Sequence, residues 1–210
     1  MSPSVVGSIL EVDPSDWDRL AGDNPFVRHA WLASLELSGT ATEAAGWTPR
    51  HLLLHDHGRL VAAAPLWVRH SSEGEFVWDQ PIEQACHRFG RRYTPRAVVA
   101  VPWTPVVGRR LLTDPTRARR PLLVALAAVL PHLCDEHGWS GLNVHFCEDD
   151  EADALQAVGF FGRASWQYRW RNPGYGSMDD FLDRLTSRRR STMRREIRRL
   201  DSQGIELEVC

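Results

Sequence analysis

Apolar residues in this chain come in short runs whose period changes repeatedly between Ser8 and Trp170. Runs that alternate build strands and runs that recur every three to four residues build helices, so their order restricts the fold before composition is considered. Ser8 to Val12 reads as a strand, Pro14 to Ala21 as a helix with proline in its first turn, and Pro25 to Ser38 as a second helix stopped by Gly39. His51 to Leu54 and Leu60 to Val68 are joined across Asp56-His57-Gly58, which is hairpin chemistry, and Glu75 to Trp78 and Ala97 to Val101 are further strands. Leu122 to His137 is then a helix begun by Pro121, closed by Gly138 and open to a kink at Pro131. Gly141 to Phe146 follows as a strand, Glu151 to Val158 as a helix and Ala164 to Trp170 as an alternating strand. A strand, two helices, an antiparallel centre and a closing helix-strand-helix-strand series predict an α/β protein of the α+β kind. The sheet is expected to be mixed and mostly antiparallel, with helices on both faces.

The longest apolar run, Leu122 to Leu130, falls well short of the ~20 residues a membrane span needs, and the N-terminus has neither a basic nor a long apolar signal region. No membrane span and a cytoplasmic location are the expectation. All 25 cationic side chains are arginine, which removes lysine routes to Schiff-base or Walker-type phosphate chemistry. Cys86, Cys134, Cys147 and Cys210 show no paired spacing and read as reduced thiols with no catalytic role.

Charge is segregated. From Arg184 to Leu200 there are eight arginines against one glutamate, while the whole chain carries −2. On a helix, Met193, Ile197 and Leu200 share one face and Arg188, Arg194, Arg195, Arg198 and Arg199 spread over the other, so one face can dock while the other meets anions. The turn-rich stretch Arg171 to Gly176 marks a boundary, giving a domain over 1–171 and a linker with Arg-rich helices over 172–210. The bland reading of these arginines is a solvated surface paired with the acidic remainder. A non-catalytic polyanion-binding, nucleic-acid-binding or adaptor module using this helix is the alternative to an enzyme.

The runs NPFVRHAWLASLELSG (24–39), GWTPRHLLL (46–54), GEFVWDQ (74–80), RRYTPRAVVAVPWTPVVGRRLL (91–112) and SRRRSTMRREIRRL (187–200) resemble the bacterial FemAB-like proteins, peptidoglycan biosynthesis proteins of the GNAT acyltransferase superfamily. The resemblance covers nearly the whole chain. It implies a GNAT-like domain followed by the start of a second one at the basic helix, with the strand-like Ile205 to Cys210 as the next element. The chain is therefore expected to be a first half, completed by a second GNAT-like domain or by self-association. The implied activity is acyl or aminoacyl transfer to an amine of a cell-wall precursor or similar small acceptor, from aminoacyl-tRNA or acyl-CoA as donor.

Such a transfer needs no covalent intermediate. It needs an amine held in place, a proton acceptor and donors for the carbonyl oxygen. Asp79, after Phe76-Val77-Trp78, is the candidate catalytic carboxylate, with a helix cap as its structural alternative. Trp78, Arg91, Arg92, Tyr93, Thr104 and Gly108 are candidate substrate-binding residues for a phosphate-bearing molecule, and surface arginines with a strand-ending turn are their structural alternative. Arg188, Arg194, Arg195, Arg198 and Arg199 are the candidate polyanion-binding residues, with tRNA or a nucleotide-linked substrate as partner. The glycine-rich R/Q-x-x-G-x-G/A cradle for the coenzyme A pyrophosphate is missing. Val107-Gly108-Arg109-Arg110 is the nearest stretch and leads into Leu111-Leu112-Thr113 rather than a helix, so no tightly bound cofactor is expected. The histidines and cysteines form no closed ligand set at recognised spacing, so no metal is expected. Trp166, Tyr168 and Trp170 on one face of a strand read as sheet core, or as a stacking platform for bases.

Overall fold

The computed structural model describes residues 1–71, 75–166 and 168–204. The chain divides into two compact units, residues 1–163 and residues from 164 onward.

In the first unit, β1 (Ser2–Val6), β3 (His51–Asp56), β4 (Arg59–Ala64) and β7 (Leu112–Thr113) form one four-stranded sheet in the order β1-β3-β4-β7. A second, β2-β5-β6-β8, is built from β2 (Trp47–Pro49), β5 (Leu66–Arg69), β6 (Arg96–Val99) and β8 (Leu142–Val144). Among the described residues every pairing is antiparallel except β6 with β8, where Val98 faces Asn143 and a crossover through α4 (Arg119–His137) makes the return. The mixed, mostly antiparallel architecture is as expected, divided into two sheets.

The strands at the centre are apolar without alternation because both faces are covered. Leu52 and Leu54 of β3 pack with Leu122, Leu126 and Leu130 of α4 and Leu155 of α5 (Asp149–Ala157). Leu53, between them, points to the other core with Trp17 and Leu20 of α1 (Pro14–Ala21) and Leu32 of α2 (His29–Leu37). Helices thus lie on both faces. Helix α1 starts where Asp13 caps the backbone N–H groups of Ser15 and Asp16, and α5 starts on a capping box between Glu148 and Glu151. The β3-β4 hairpin turns through His57 (φ 48°) and Gly58 (φ 80°), the left-handed pair that matches strand twist.

Four expectations are corrected. The first strand is Ser2–Val6 rather than Ser8 to Val12, because the Ser8 hydroxyl accepts from the Leu10 N–H and closes a short 3₁₀ turn over Ile9–Glu11. Pro25 to Ser38 is a 3₁₀ turn over Pro25–Val27 followed by α2, parted by the extended Arg28. Glu75 to Trp78 forms no strand: Phe76 takes a left-handed φ of 56°, which breaks extended pairing, ahead of α3 (Gln80–Arg88). The described residues of Ala164 to Trp170 pair with nothing, and Trp166 and Tyr168 are at least 95% exposed, so they are not sheet core. Gln167, Gly74 and Ile205 to Cys210 lie outside the described residues.

The second unit holds α6 (Met178–Asp183) and α7 (Ser187–Ser202), linked by ion pairs of Arg190 with Asp183 at 3.1 Å and Arg194 with Asp179 at 3.4 Å. No described helix in the chain is long and apolar enough to cross a membrane.

Candidate active site

An arginine or histidine buried in a strand has to find a charge or hydrogen-bond partner, because an unpaired charge away from water costs several kcal/mol. Arg69 at the end of β5, Arg96 at the start of β6 and His145 just after β8 are all buried, and they converge on one place. The loop after β5 turns inward to meet them. Glu75 Oε1 accepts from Arg69 Nε at 2.8 Å and Glu75 Oε2 from Arg96 Nη2 at 2.6 Å. Arg69 stacks 3.9 Å over the Trp47 ring and also donates to the Gly46 carbonyl, while Arg96 lies 4.7 Å over Tyr93.

Asp79 is the second buried carboxylate. It stands at the N-cap position of α3, yet its side chain makes no capping bond. Its Oδ2 instead accepts from the Tyr93 hydroxyl at 2.5 Å and from Arg96 Nη2 at 3.4 Å, and its Oδ1 accepts from Arg163 Nη1. Arg163 Nη2 reaches the Trp78 carbonyl at 2.7 Å. In the orientation that satisfies both ends of its amide, Asn143 accepts from Arg96 Nη1 at 3.0 Å. Burial pulls the Asp79 carboxyl up, but the Tyr93 hydroxyl, the Arg163 guanidinium and the Arg96 charge outweigh it and hold it below the usual carboxylate range. Tyr93 is pushed far above its ordinary value by burial and by Asp79, so it stays a donor.

His145 completes the cluster, with Nδ1 3.8 Å from Glu75 Oε2. Burial and then the Arg96 charge lower it to about 3, so the imidazole is neutral. Glu75 and His145 are each followed by an aromatic residue in left-handed backbone, Phe76 (φ 56°) and Phe146 (φ 55°), which bends the chain away after the cluster member. With His145 neutral, three guanidiniums face two carboxylates, and the excess positive charge sits on the half-exposed Arg163. One ligand atom each from Glu75, Asp79 and His145 lie within 4.8 Å of one another, as a metal would require. Arg96 Nη2 already bridges the two carboxylates, so a cation there has to displace a buried guanidinium.

Of the residues singled out by sequence, the structure brings Asp79 and Tyr93 together with the Trp78 backbone. The Trp78 ring is 81% exposed, Arg91 and Arg92 are exposed, and Thr104 Oγ1 bonds its own loop at the Pro102 carbonyl. Gly108 is no phosphate cradle: its N–H is donated to the Phe146 carbonyl at 3.0 Å, and a Cβ there would lie 2.6 Å from Asn24 Nδ2. Arg110 pins the same loop by donating to the carbonyls of Val106, Gly108 and Arg109. Glu75, Arg69, Arg96, His145 and Arg163 were missed as site residues. Their signal was a charged or titratable side chain set in or beside an otherwise apolar run, as in Leu66-Trp67-Val68-Arg69 and Arg96-Ala97-Val98-Val99. The Cys134 and Cys147 thiols are each pushed up to about 11 by burial, which suits them poorly to nucleophilic work.

A mixed, mostly antiparallel α/β domain with a buried ionic centre beside the parallel β6-β8 pair is the class these features define. The chain belongs to the FemAB-like family of peptidoglycan biosynthesis/recognition, whose model matches residues 8–210. No curated protein matches it. Among solved structures it is similar to the aminoglycoside antibiotic 6'-N-acetyltransferase AAC(6')-IG of Acinetobacter haemolyticus, at 13% identity and a TM-score of 0.45 over 83% of this chain and 100% of that one. It is also similar to a ribosomal-protein-alanine N-acetyltransferase of Brucella melitensis biovar Abortus 2308, at 13% identity and a TM-score of 0.46 over 81% of this chain and 100% of that one.

Proposed function

We propose that this chain is an acyl or aminoacyl transferase-like protein acting on an amine of a cell-wall precursor or similar small acceptor, with the Asp79 cluster as its reacting centre. The observation that carries the reading is a buried carboxylate, Asp79, that accepts from the Tyr93 hydroxyl and Arg96 on one oxygen and from the half-exposed Arg163 on the other, with the buried His145 in the same cluster. In this reading Arg163 swings off Asp79 Oδ1 when substrate enters and meets the donor's carbonyl oxygen or phosphate. Asp79 then accepts the neutral amine's hydrogen bond and its proton as the C–N bond forms, the donor's acyl C–O or C–S bond breaks, the leaving ribose oxygen or thiolate takes up that proton, and Tyr93 keeps the carboxylate in register. Aminoacyl-tRNA and acyl-CoA are the donor classes, a cytoplasmic location would give access to both, and a second GNAT-like domain or a second copy would close the cleft.

The test is a transfer assay with labelled aminoacyl-tRNA and labelled acetyl-CoA, offered with an amine-bearing peptidoglycan precursor. Asp79→Asn should lower transfer by about 10²-fold or more, and Arg163→Gln, at the rim, should do so without altering the fold. Wild-type rates in both variants would remove the cluster from the chemistry.

A second reading rests on α7. Arg188, Arg195, Arg198 and Arg199 are exposed and, among the described residues, make no ion pair, so a solvated helix of free guanidiniums is available to a polyanion without any catalysis.

A further inference from the structure

Away from the Asp79 cluster, the N-terminal turn, α2 and β2 border an open cavity of about 400 Å³ lined by Leu10, Glu36, Thr42, Glu43, Thr48 and Arg50 among others. The Glu36 side chain is 8% exposed. Its Oε2 accepts from the Ser8 hydroxyl at 2.5 Å, and its Oε1 from the Ile9 N–H at 3.0 Å and His51 Nε2 at 2.9 Å. None of these donors is a cation. His51 is fully enclosed between the rings of Trp17 and Trp67, and burial, opposed by Glu36, lowers it and keeps it neutral. Burial acts to raise Glu36, yet His51, Ser8 and Ile9 together hold it below its ordinary value. The nearly buried Glu36 carboxylate is thus held as the anion by neutral donors alone, with no guanidinium beside it, and its negative charge is not neutralised within the protein.

Arg50 lines the same cavity. Its Nη1 donates to the Pro49 carbonyl at 2.8 Å, and among the described residues it has no carboxylate partner. A carboxylate held only by neutral donors and a guanidinium without a carboxylate partner among the described residues thus line one small cavity, with Glu43 at it too and an apolar wall at Leu10 and Ala41. We infer that this cavity binds a small zwitterion of the amino-acid type, its ammonium against Glu36 and its carboxylate against Arg50. The structural role of Glu36 in tying the N-terminal turn to α2 and β3 uses neutral donors only, and Arg50 has no part in it.

The inference does not rest on the transfer reading and is tested without activity. Titrations of the whole chain with glycine, alanine of either hand, ethylamine and acetate are followed by NMR at the Ile9 and Arg50 amides. The amino acids should bind, ethylamine should bind more weakly and acetate weakest. Glu36→Gln should weaken glycine by about tenfold or more, as loss of a charged hydrogen bond does. Arg50→Gln, at a partly exposed position that leaves the Glu36 network whole, should erase the preference for glycine over ethylamine. If Glu36→Gln fails to fold, Arg50→Gln decides. Amide shifts absent with every probe at millimolar concentration, or a preference for glycine that survives Arg50→Gln, would overturn the inference.

Discussion

Histidine 145 makes the most direct demand at the scale of single residues. Its ordinary pKa is about 6.5, and in the folded protein burial and the Arg96 charge lower it to about 3. Between those values the unfolded chain binds a proton that the folded chain refuses. The stability it contributes is therefore whole above about pH 6.5 and is lost as the pH falls towards about 3, at up to about 1.4 kcal/mol per pH unit. Asp79, lowered too, adds to the acid limb only below its unfolded value of about 3.9. Urea unfolding between about pH 4 and about pH 7 should show the slope, and His145→Gln should flatten it by about one proton. An unchanged slope would mean that His145 titrates in the folded state. Asp79 was legible in the sequence as a carboxylate beside an aromatic run. Glu75 and Arg96 were not, because nothing local says that residues 21 apart share an ion pair.

Among the elements, α7 tests the charge segregation seen in the sequence. Met193 is partly buried, while Ile197 and Leu200 are 37% and 42% exposed, so the apolar stripe exists but no residue of α7 is fully buried. If its arginines meet polyanions, tRNA affinity should fall steeply with salt. Replacing Arg194, Arg195, Arg198 and Arg199 by Gln should then flatten the log–log slope by several units, nearly one for each phosphate no longer neutralised. Melting should move little, since exposed substitutions away from special features usually stay within about 0.5 kcal/mol. Arg194 is the exception to watch, because its pair with Asp179 goes too. No polyanion binding, joined to a sharp drop in melting, would make these arginines structural partners of the acidic side chains. The aromatic alternation of Trp166, Tyr168 and Trp170 fits a strand in period, yet no described residue there pairs. A strand needs a partner edge as well as a pattern.

For the molecule as a whole, the missing pyrophosphate cradle and the tied-up Gly108 N–H lead to one expectation: calorimetry with acetyl-CoA at moderate salt should show no tight binding. Low-micromolar affinity with the pyrophosphate near Gly108 would mean that the loop opens and releases that N–H from Phe146. The helices at Pro14 to Ala21 and Leu122 to His137, the hairpin through His57-Gly58, the stop at Gly138 and the family itself were legible in the sequence, because periodicity, turn chemistry and capping act within a few residues. Tertiary structure alone decided that the strands divide into two sheets and that Ser2–Val6 rather than Ser8 to Val12 pairs with β3. It also decided that Arg69, Glu75, Asp79, Arg96, His145 and Arg163 meet at one point. Edge pairing and the partners of buried charges depend on which distant segments pack together, and that is a property of the assembled fold rather than of any local window.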